Sequence, residues 1–302
     1  MQRRKLRPQP EDTWWQLAPR PDLDDVLPAV SDTYAGLDER QKNQPNDHTI
    51  FRARNGTWQL WACVRRTPVG RLLVNWEADS VSDSPWRLTG RRIRADRAAG
   101  ESMVDFHGDE FLQSPFVVQH DGTYYMFYGG YDSGVDPDGN STDDYSLVEK
   151  QTCLMTSEDG IEWTRHRDSE GHSRVFMGPG AVRDQCVARF GDRWHIYYAG
   201  HHDRDRARTA IYARTSEDLL HWSDWRIAES NTKGERTTPE SPFVVERGGY
   251  YYLFRTHGPR HGCYVFRSTD PMDFGGGHAT EQSPNFVCSL PVIAPEIAVD
   301  ED

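Results

Sequence analysis

The sequence predicts an all-β chain, a five-bladed β-propeller of four-stranded antiparallel blades whose fifth blade is incomplete. Three observations predict it. A short apolar strand, a Gly turn and an aromatic strand recur as a unit along the chain. The starts of successive copies lie 66 (47 to 113), 71 (113 to 184), 56 (184 to 240) and 53 (240 to 293) residues apart. These steps are too long for helical solenoids and fit propeller blades with loop insertions. Aromatic residues reach 12% against a hydrophobic fraction of 36%, with ten Trp and thirteen Tyr, a balance that suits many short strands joined by polar loops.

The first copy reads Asp47-His48-Thr49-Ile50-Phe51, then Asn55-Gly56-Thr57-Trp58-Gln59-Leu60-Trp61. The second runs from Gln113-Ser114-Pro115-Phe116-Val117-Val118 to Asp121-Gly122-Thr123-Tyr124-Tyr125-Met126-Phe127-Tyr128. Asp184-Gln185-Cys186-Val187-Ala188 with Trp194-His195-Ile196-Tyr197-Tyr198 forms the third, and Glu240-Ser241-Pro242-Phe243-Val244-Val245 with Gly248-Gly249-Tyr250-Tyr251-Tyr252-Leu253-Phe254 the fourth. A fifth begins at Ile293-Ala294-Pro295-Glu296. Each full copy has a second half: Ser80 to Trp86, Thr156 to Trp163, Thr215 to Trp222 and Arg267 to Phe274. Their Ser, Asp and Gly clusters followed by an aromatic read as a turn between a third strand and an outer fourth strand. Apolar runs such as Phe116-Val117-Val118 suit an inner strand packed on both faces, and the aromatic second strands fill the space between blades.

One propeller domain is expected over 46–302, preceded by an N-terminal segment, 1–45, that can supply a closing strand. The fifth copy reaches only Asp302, so a full blade needs on the order of 40 further residues.

A formal charge of −12 excludes a partner bound through its phosphate backbone, and no nucleic acid is expected. The residues after Met1 hold no apolar run of signal-peptide or membrane-span length, so no membrane partner and a cytoplasmic location are expected. Cys63, Cys153, Cys186, Cys263 and Cys288 are scattered without a C-x-x-C pair, which reads as reduced, buried thiols.

If equivalent positions of a circular repeat point to one place, Asp47, Asp184 and Glu240 meet there. A pair of carboxyl groups is the minimum for hydrolysing a glycosidic bond, one protonating the leaving oxygen and the other acting as nucleophile or activating water. A third can position a sugar hydroxyl and keep its neighbour's pKa high. A single Asp at a strand end is an ordinary surface residue. Three in register on strands lining a narrow channel point to use. Gln113 holds this place in the second copy and joins the expected substrate-binding residues, with Trp61 and Tyr128 near strand ends and His257 on a loop above the axis; Tyr131 and Phe254 are further aromatic candidates, and for each aromatic the alternative is a role in blade packing. His48 faces away from Asp47 on an extended strand and reads as structural.

No metal or other cofactor is expected. His201-His202-Asp203 and the His257, His261 pair lack zinc-like partners. Asp136-Pro137-Asp138-Gly139-Asn140 lacks the bidentate Glu of a calcium loop.

Asn46-Asp47, Arg183-Asp184 and Glu240-Ser241 resemble the Asn-Asp-Pro, Arg-Asp-Pro and Glu-Cys signatures of glycoside hydrolase family 32, and Ser216-Glu217-Asp218-Leu219-Leu220-His221-Trp222 is similar to a phrase of that family. The Ser-Pro-Phe-Val-Val and Gly-Tyr-Tyr runs of the second and fourth copies are equally similar to family 43, which shares the five-bladed fold. The resemblance covers 46–299. It implies Asp47 as nucleophile or general base, Glu240 as general acid, Asp184 as stabiliser of the transition state or modulator of the acid, and Arg183 on sugar hydroxyls. The implied reaction is cleavage of a small pentoside or furanoside such as an arabinofuranoside, xyloside or fructoside, with a small carbohydrate as partner. The separation of Asp47 and Glu240 sets the anomeric outcome, roughly 5 to 5.5 Å for retention and 6.5 to 9.5 Å for inversion. A non-catalytic carbohydrate-binding propeller and a protein-interaction propeller are the alternatives.

Overall fold

Tight turns set the hairpins. Asp121-Gly122 has φ of +47° and +78°, and Gly248-Gly249 has +63° and +77°. Two consecutive left-handed residues give the two-residue turn whose twist matches the strands it joins. The flanking residues pair accordingly, His120 with Thr123 and Arg247 with Tyr250.

The computed structural model describes residues 7–9, 14, 16–24, 27, 32–101, 110–130, 151–179, 182–201, 209–230, 239–257, 262–275 and 281–299. The chain forms two compact units, an N-terminal one of Trp15–Arg183 with Ala298–Asp302 and a C-terminal one of Met1–Trp14 with Asp184–Ile297. Among the described residues the fold is all-β apart from a helical turn, α1 (Asp32–Ala35), and a 3-10 turn at Arg97–Ala99. Among the described residues no helix is long and apolar enough to cross a membrane.

In the N-terminal unit, β1 (Gln44–Arg52), β2 (Trp58–Thr67), β3 (Gly70–Ala78) and β4 (Arg87–Ile93) form an antiparallel meander. A second meander follows with β5 (Glu110–His120), β6 (Thr123–Gly130) and β7 (Gln151–Ser157), whose outer edge pairs with both β8 (Thr164–Arg165) and β9 (Arg174–Met177). A short parallel contact, Gly70 with Glu110 and Arg71 with Phe111, links the two. Strand β2 is buried on both faces: Trp61 and Cys63 pack with Leu112, Val117, Met126 and Cys153, while Leu60, Ala62 and Val64 pack with Leu23, Leu27, Trp76 and Trp86. Period-2 alternation thus yields a continuous apolar run rather than a half-buried strand. Among the described residues of 1–45, Leu23 and Leu27 serve this core and no strand precedes Gln44.

The C-terminal unit holds two four-stranded antiparallel sheets. The first consists of β10 (Arg183–Phe190), β11 (Arg193–His201), β12 (Thr209–Ser216) and β13 (Arg226–Ser230), and the second of β14 (Glu240–Arg247), β15 (Tyr250–Thr256), β16 (Cys263–Ser268) and β17 (Phe286–Leu290). Residues 293–299 carry no strand, yet Ala294 adopts φ +49° and its N–H donates to Thr256 Oγ1 at 2.8 Å.

The turns after the third strands close with the same bonds in three copies. Asp159, Asp218 and Asp270 each donate a backbone N–H to the Ser two residues earlier, at 3.3, 3.2 and 3.0 Å. The N–H groups of Ile161, Leu220 and Met272 then donate to the Oδ1 of those aspartates, at 2.8, 2.9 and 2.8 Å. Ser and Asp side chains here replace strand hydrogen bonds and stop the ladder.

A buried polar network ties the N-terminal unit together. The Glu101 carboxylate accepts from Arg165 Nε at 2.7 Å and Nη2 at 3.0 Å, from the Tyr128 hydroxyl at 2.6 Å, from Ser173 Oγ at 3.0 Å and from the Asp96 N–H at 2.7 Å. Burial opposes the charge on Arg165, and the Glu101 carboxylate more than offsets it, so the guanidinium pKa lies above its usual value. Removing one partner of such a pair leaves a buried charge uncompensated. Glu101→Gln is therefore expected to lower the unfolding free energy by about 3–5 kcal/mol, and Tyr128→Phe by about 1 kcal/mol. Urea unfolding curves check both, and near-equal losses would mean that the ion pair contributes no more than the phenol.

Candidate active site

Strand β1 carries a one-residue bulge between Pro45, opposite Val64, and His48, opposite Ala62. The same bulge recurs between Gln113 and Phe116 on β5 and between Glu240 and Phe243 on β14. A bulge sets two residues against one on the partner strand and re-aims a side chain at the strand's start. Ser114 and Ser241 sit in these bulges with φ of +52° and +49°, and Asp184, at the start of β10, has φ of +58°.

Asp47 is half-buried in its bulge. Its Oδ1 accepts from Asn46 Nδ2 at 2.9 Å and its Oδ2 from Ser114 Oγ at 3.0 Å. In the C-terminal unit, Asp184 Oδ2 accepts the Ser241 N–H at 3.0 Å, which puts its carboxylate beside the peptide that follows Glu240. Two residues further on the pattern repeats: Val117 N–H donates to Thr49 Oγ1 at 3.2 Å, and Val244 N–H to Cys186 Sγ at 3.4 Å.

This pairing corrects the expected register. Thr49, Phe116 and Phe243 stand opposite Trp61, Phe127 and Phe254. Counting back two residues from each, Asp47 is equivalent to Ser114 and Ser241, and Glu240 lies one residue earlier, in the place of Asn46 and Gln113. The acids thus occupy adjacent positions of the repeat, because the bulge accommodates a slip that the strand pattern alone does not reveal. Glu240 and Arg183 are half-buried first residues of β14 and β10.

Four expected substrate contacts are corrected by burial. Trp61 is 2% exposed and Tyr128 fully buried, the first in the core between the two meanders and the second on Glu101, so neither ring offers a face to a sugar. Gln113 is buried and its Oε1 accepts from Arg71 Nη1 at 3.0 Å. His257 is buried, stacked on Tyr264 with centroids 4.2 Å apart, and its Nδ1 lies 2.5 Å from Arg255 Nη1. A guanidinium only donates, so Nδ1 is the acceptor. Arg255 in turn pairs with Glu229 at 2.8 Å, both fully buried. Their side chains supply packing and second contacts; Phe254, also considered, is buried in the core of its sheet. Tyr131, His202, His261 and the Asp136 to Asn140 loop lie outside the described residues, as does the His201 side chain.

Sequence reading missed one cluster of metal-ligand type, Asp168, Glu170 and His172. Arg174 donates to both carboxylates, through Nε at 3.3 Å to Asp168 and through Nη2 to Glu170. That guanidinium already occupies the place of a cation. All five cysteines are free thiols, four of them buried as expected and Cys288 half-buried.

No family model matches the chain, and no curated protein matches it. Solved structures do. A thermostable family-43 glycoside hydrolase is 18% identical with a TM-score of 0.53, over 76% of this chain and 70% of that one. The α-L-arabinofuranosidase from Lactobacillus brevis is 13% identical with a TM-score of 0.55, over 76% and 70%. The xylan β-1,4-xylosidase from Bacillus halodurans C-125 is 15% identical with a TM-score of 0.52, over 75% of this chain and 40% of its own length. The likeness is one of fold. It agrees with the resemblance to family 43 that the Ser-Pro-Phe-Val-Val runs carry.

Burial also sets a pH response. It lowers the pKa of His195, which lies against Phe190 with ring centroids 5.3 Å apart, and that of half-buried His48. Below an ordinary imidazole pKa near 6.5 the unfolded chain takes up protons that the folded one refuses, so stability falls as pH falls. The depressed carboxylates, Asp96 and Asp159 among them, lose their contribution only at lower pH, below the ordinary carboxylate range. His195→Phe is expected to lose less of its urea midpoint than the wild type between about pH 7.5 and about pH 5.5. An unchanged pH slope would exclude His195 as a source of the response.

Proposed function

We propose that the chain is a glycoside hydrolase of the five-bladed propeller kind, releasing a terminal pentose or furanose from a small pentoside or furanoside. In this reading the four sheets are blades and residues 293–299 open a fifth. Asp47 acts as general base or nucleophile, Glu240 as general acid and Asp184 as the stabilising carboxylate, with Arg183 on sugar hydroxyls. The observation that carries the reading is a carboxylate at the equivalent strand start in each unit, Asp47 and Asp184, each held by the equivalent Ser of the next sheet. A carboxylate fixed by hydrogen bonds at a strand start is a pre-oriented base. The shared fold with a family-43 glycoside hydrolase, an arabinofuranosidase and a xylosidase supports the same substrate class.

Nitrophenyl α-L-arabinofuranoside, β-D-xyloside and a fructoside test it directly. Asp47→Asn and Glu240→Gln are expected to lower kcat/KM by about a hundred- to ten-thousand-fold on the sugar that is cleaved, while that sugar still raises Tm. No turnover by the wild type, with equal sugar stabilisation in all three proteins, would instead establish a carbohydrate-binding propeller.

A further inference from the structure

Ser114 holds a backbone conformation that its side chain disfavours. It sits in the β5 bulge with φ of +52°, directly before Pro115. Glycine is the residue that adopts left-handed backbone without a steric cost. A following proline adds to the strain, because it pushes the residue before it towards extended backbone. Two further residues share the setting, Ser241 before Pro242 and Ala294 before Pro295, each with φ of +49°. Ala294 keeps the conformation without a hydroxyl, so the backbone itself does not require one.

Asp184 and Asp47 are held by different parts of these serines. Asp184 Oδ2 accepts the backbone N–H of Ser241 at 3.0 Å, a bond that any residue except proline can supply. Asp47 Oδ2 takes its bond from a side chain, the Ser114 hydroxyl at 3.0 Å. Ser114 is 2% exposed, which shields that bond from water. The second bond to Asp47, from Asn46 Nδ2 to Oδ1 at 2.9 Å, is exposed. A hydroxyl has one proton to give, and at Ser114 the carboxylate receives it.

Resting on the reading of Asp47 as general base or nucleophile, we propose that Ser114 is a positioning residue for that reaction. Its buried hydroxyl anchors Oδ2, and with it the plane of the carboxylate, so that a serine stands where glycine would be less strained. An aspartate side chain turns about two bonds, and a hydrogen bond to each oxygen removes both freedoms. Strain of this kind persists where the surrounding structure fixes it. The hydroxyl is not what joins the two meanders, since the Val117 N–H donates to Thr49 Oγ1 at 3.2 Å independently of it.

Ser114→Ala and Ser114→Gly both remove the hydroxyl, and only glycine relieves the left-handed backbone. On a nitrophenyl glycoside that the wild type cleaves, each is expected to lower kcat by about ten- to a hundredfold with KM unchanged, the scale of a displaced reacting group. Circular dichroism melts are expected to place the Tm of Ser114→Gly above that of Ser114→Ala by about 2 °C. Activity then follows the hydroxyl while stability follows the strain, a split that a purely structural serine would not give. In the Asp47→Asn background both substitutions are expected to lower kcat no further, since the group they position is gone. The glycine variant decides the matter should the alanine variant unfold. A kcat near wild type in Ser114→Gly, a loss confined to KM, equal Tm for the two variants, or a further loss in the Asp47→Asn background would overturn this role alone. Turnover of no glycoside by the wild type would overturn the hydrolase reading, and this role with it.

Discussion

The start of each first strand, bulged in β1, β5 and β14, is the constraint on which the rest of the structure depends. At that point a side chain of one sheet takes a hydrogen bond from the next sheet, Asp47 from Ser114 and Thr49 from the Val117 amide. The C-terminal unit repeats it with Asp184, Ser241, Cys186 and Val244. Left-handed conformations at Ser114, Asp184 and Ser241 are unfavourable for residues with a Cβ, and persist where surrounding bonds over-determine them. The same geometry that joins neighbouring sheets thereby fixes two carboxylates at strand starts.

Around those strand starts the polar residues divide by burial. Glu101 with Arg165, and Glu229 with Arg255, are charges withdrawn from water and matched by charge-assisted bonds. They order the sheets and are out of reach of a ligand. Asp47, Asp184 and Glu240 are half-buried. Half-burial is the condition that lets a group meet a substrate while its field is still strong.

Much of the fold was legible because its signals are local. The Gly turns produced the hairpins at Asp121-Gly122 and Gly248-Gly249, and the Ser-x-Asp runs produced turns closed by identical bonds. The aromatic second strands fill cores as their composition implied. The candidate site was legible in part. Asp47 and Asp184 stood out through the repeat, while Trp61, Tyr128, Gln113 and His257 were misread because aromatic and polar residues near strand ends look alike in sequence whether they face a cleft or a core.

The sequence by itself determined the strand pattern, the turns, the repeat and the type of acid at each strand start, because each depends on residues within one hairpin. Tertiary structure decided the one-residue offset of Glu240 and the burial of the expected sugar contacts. Those depend on which strand lies opposite which, and pairing between strands distant in the chain is set by packing that no local pattern encodes.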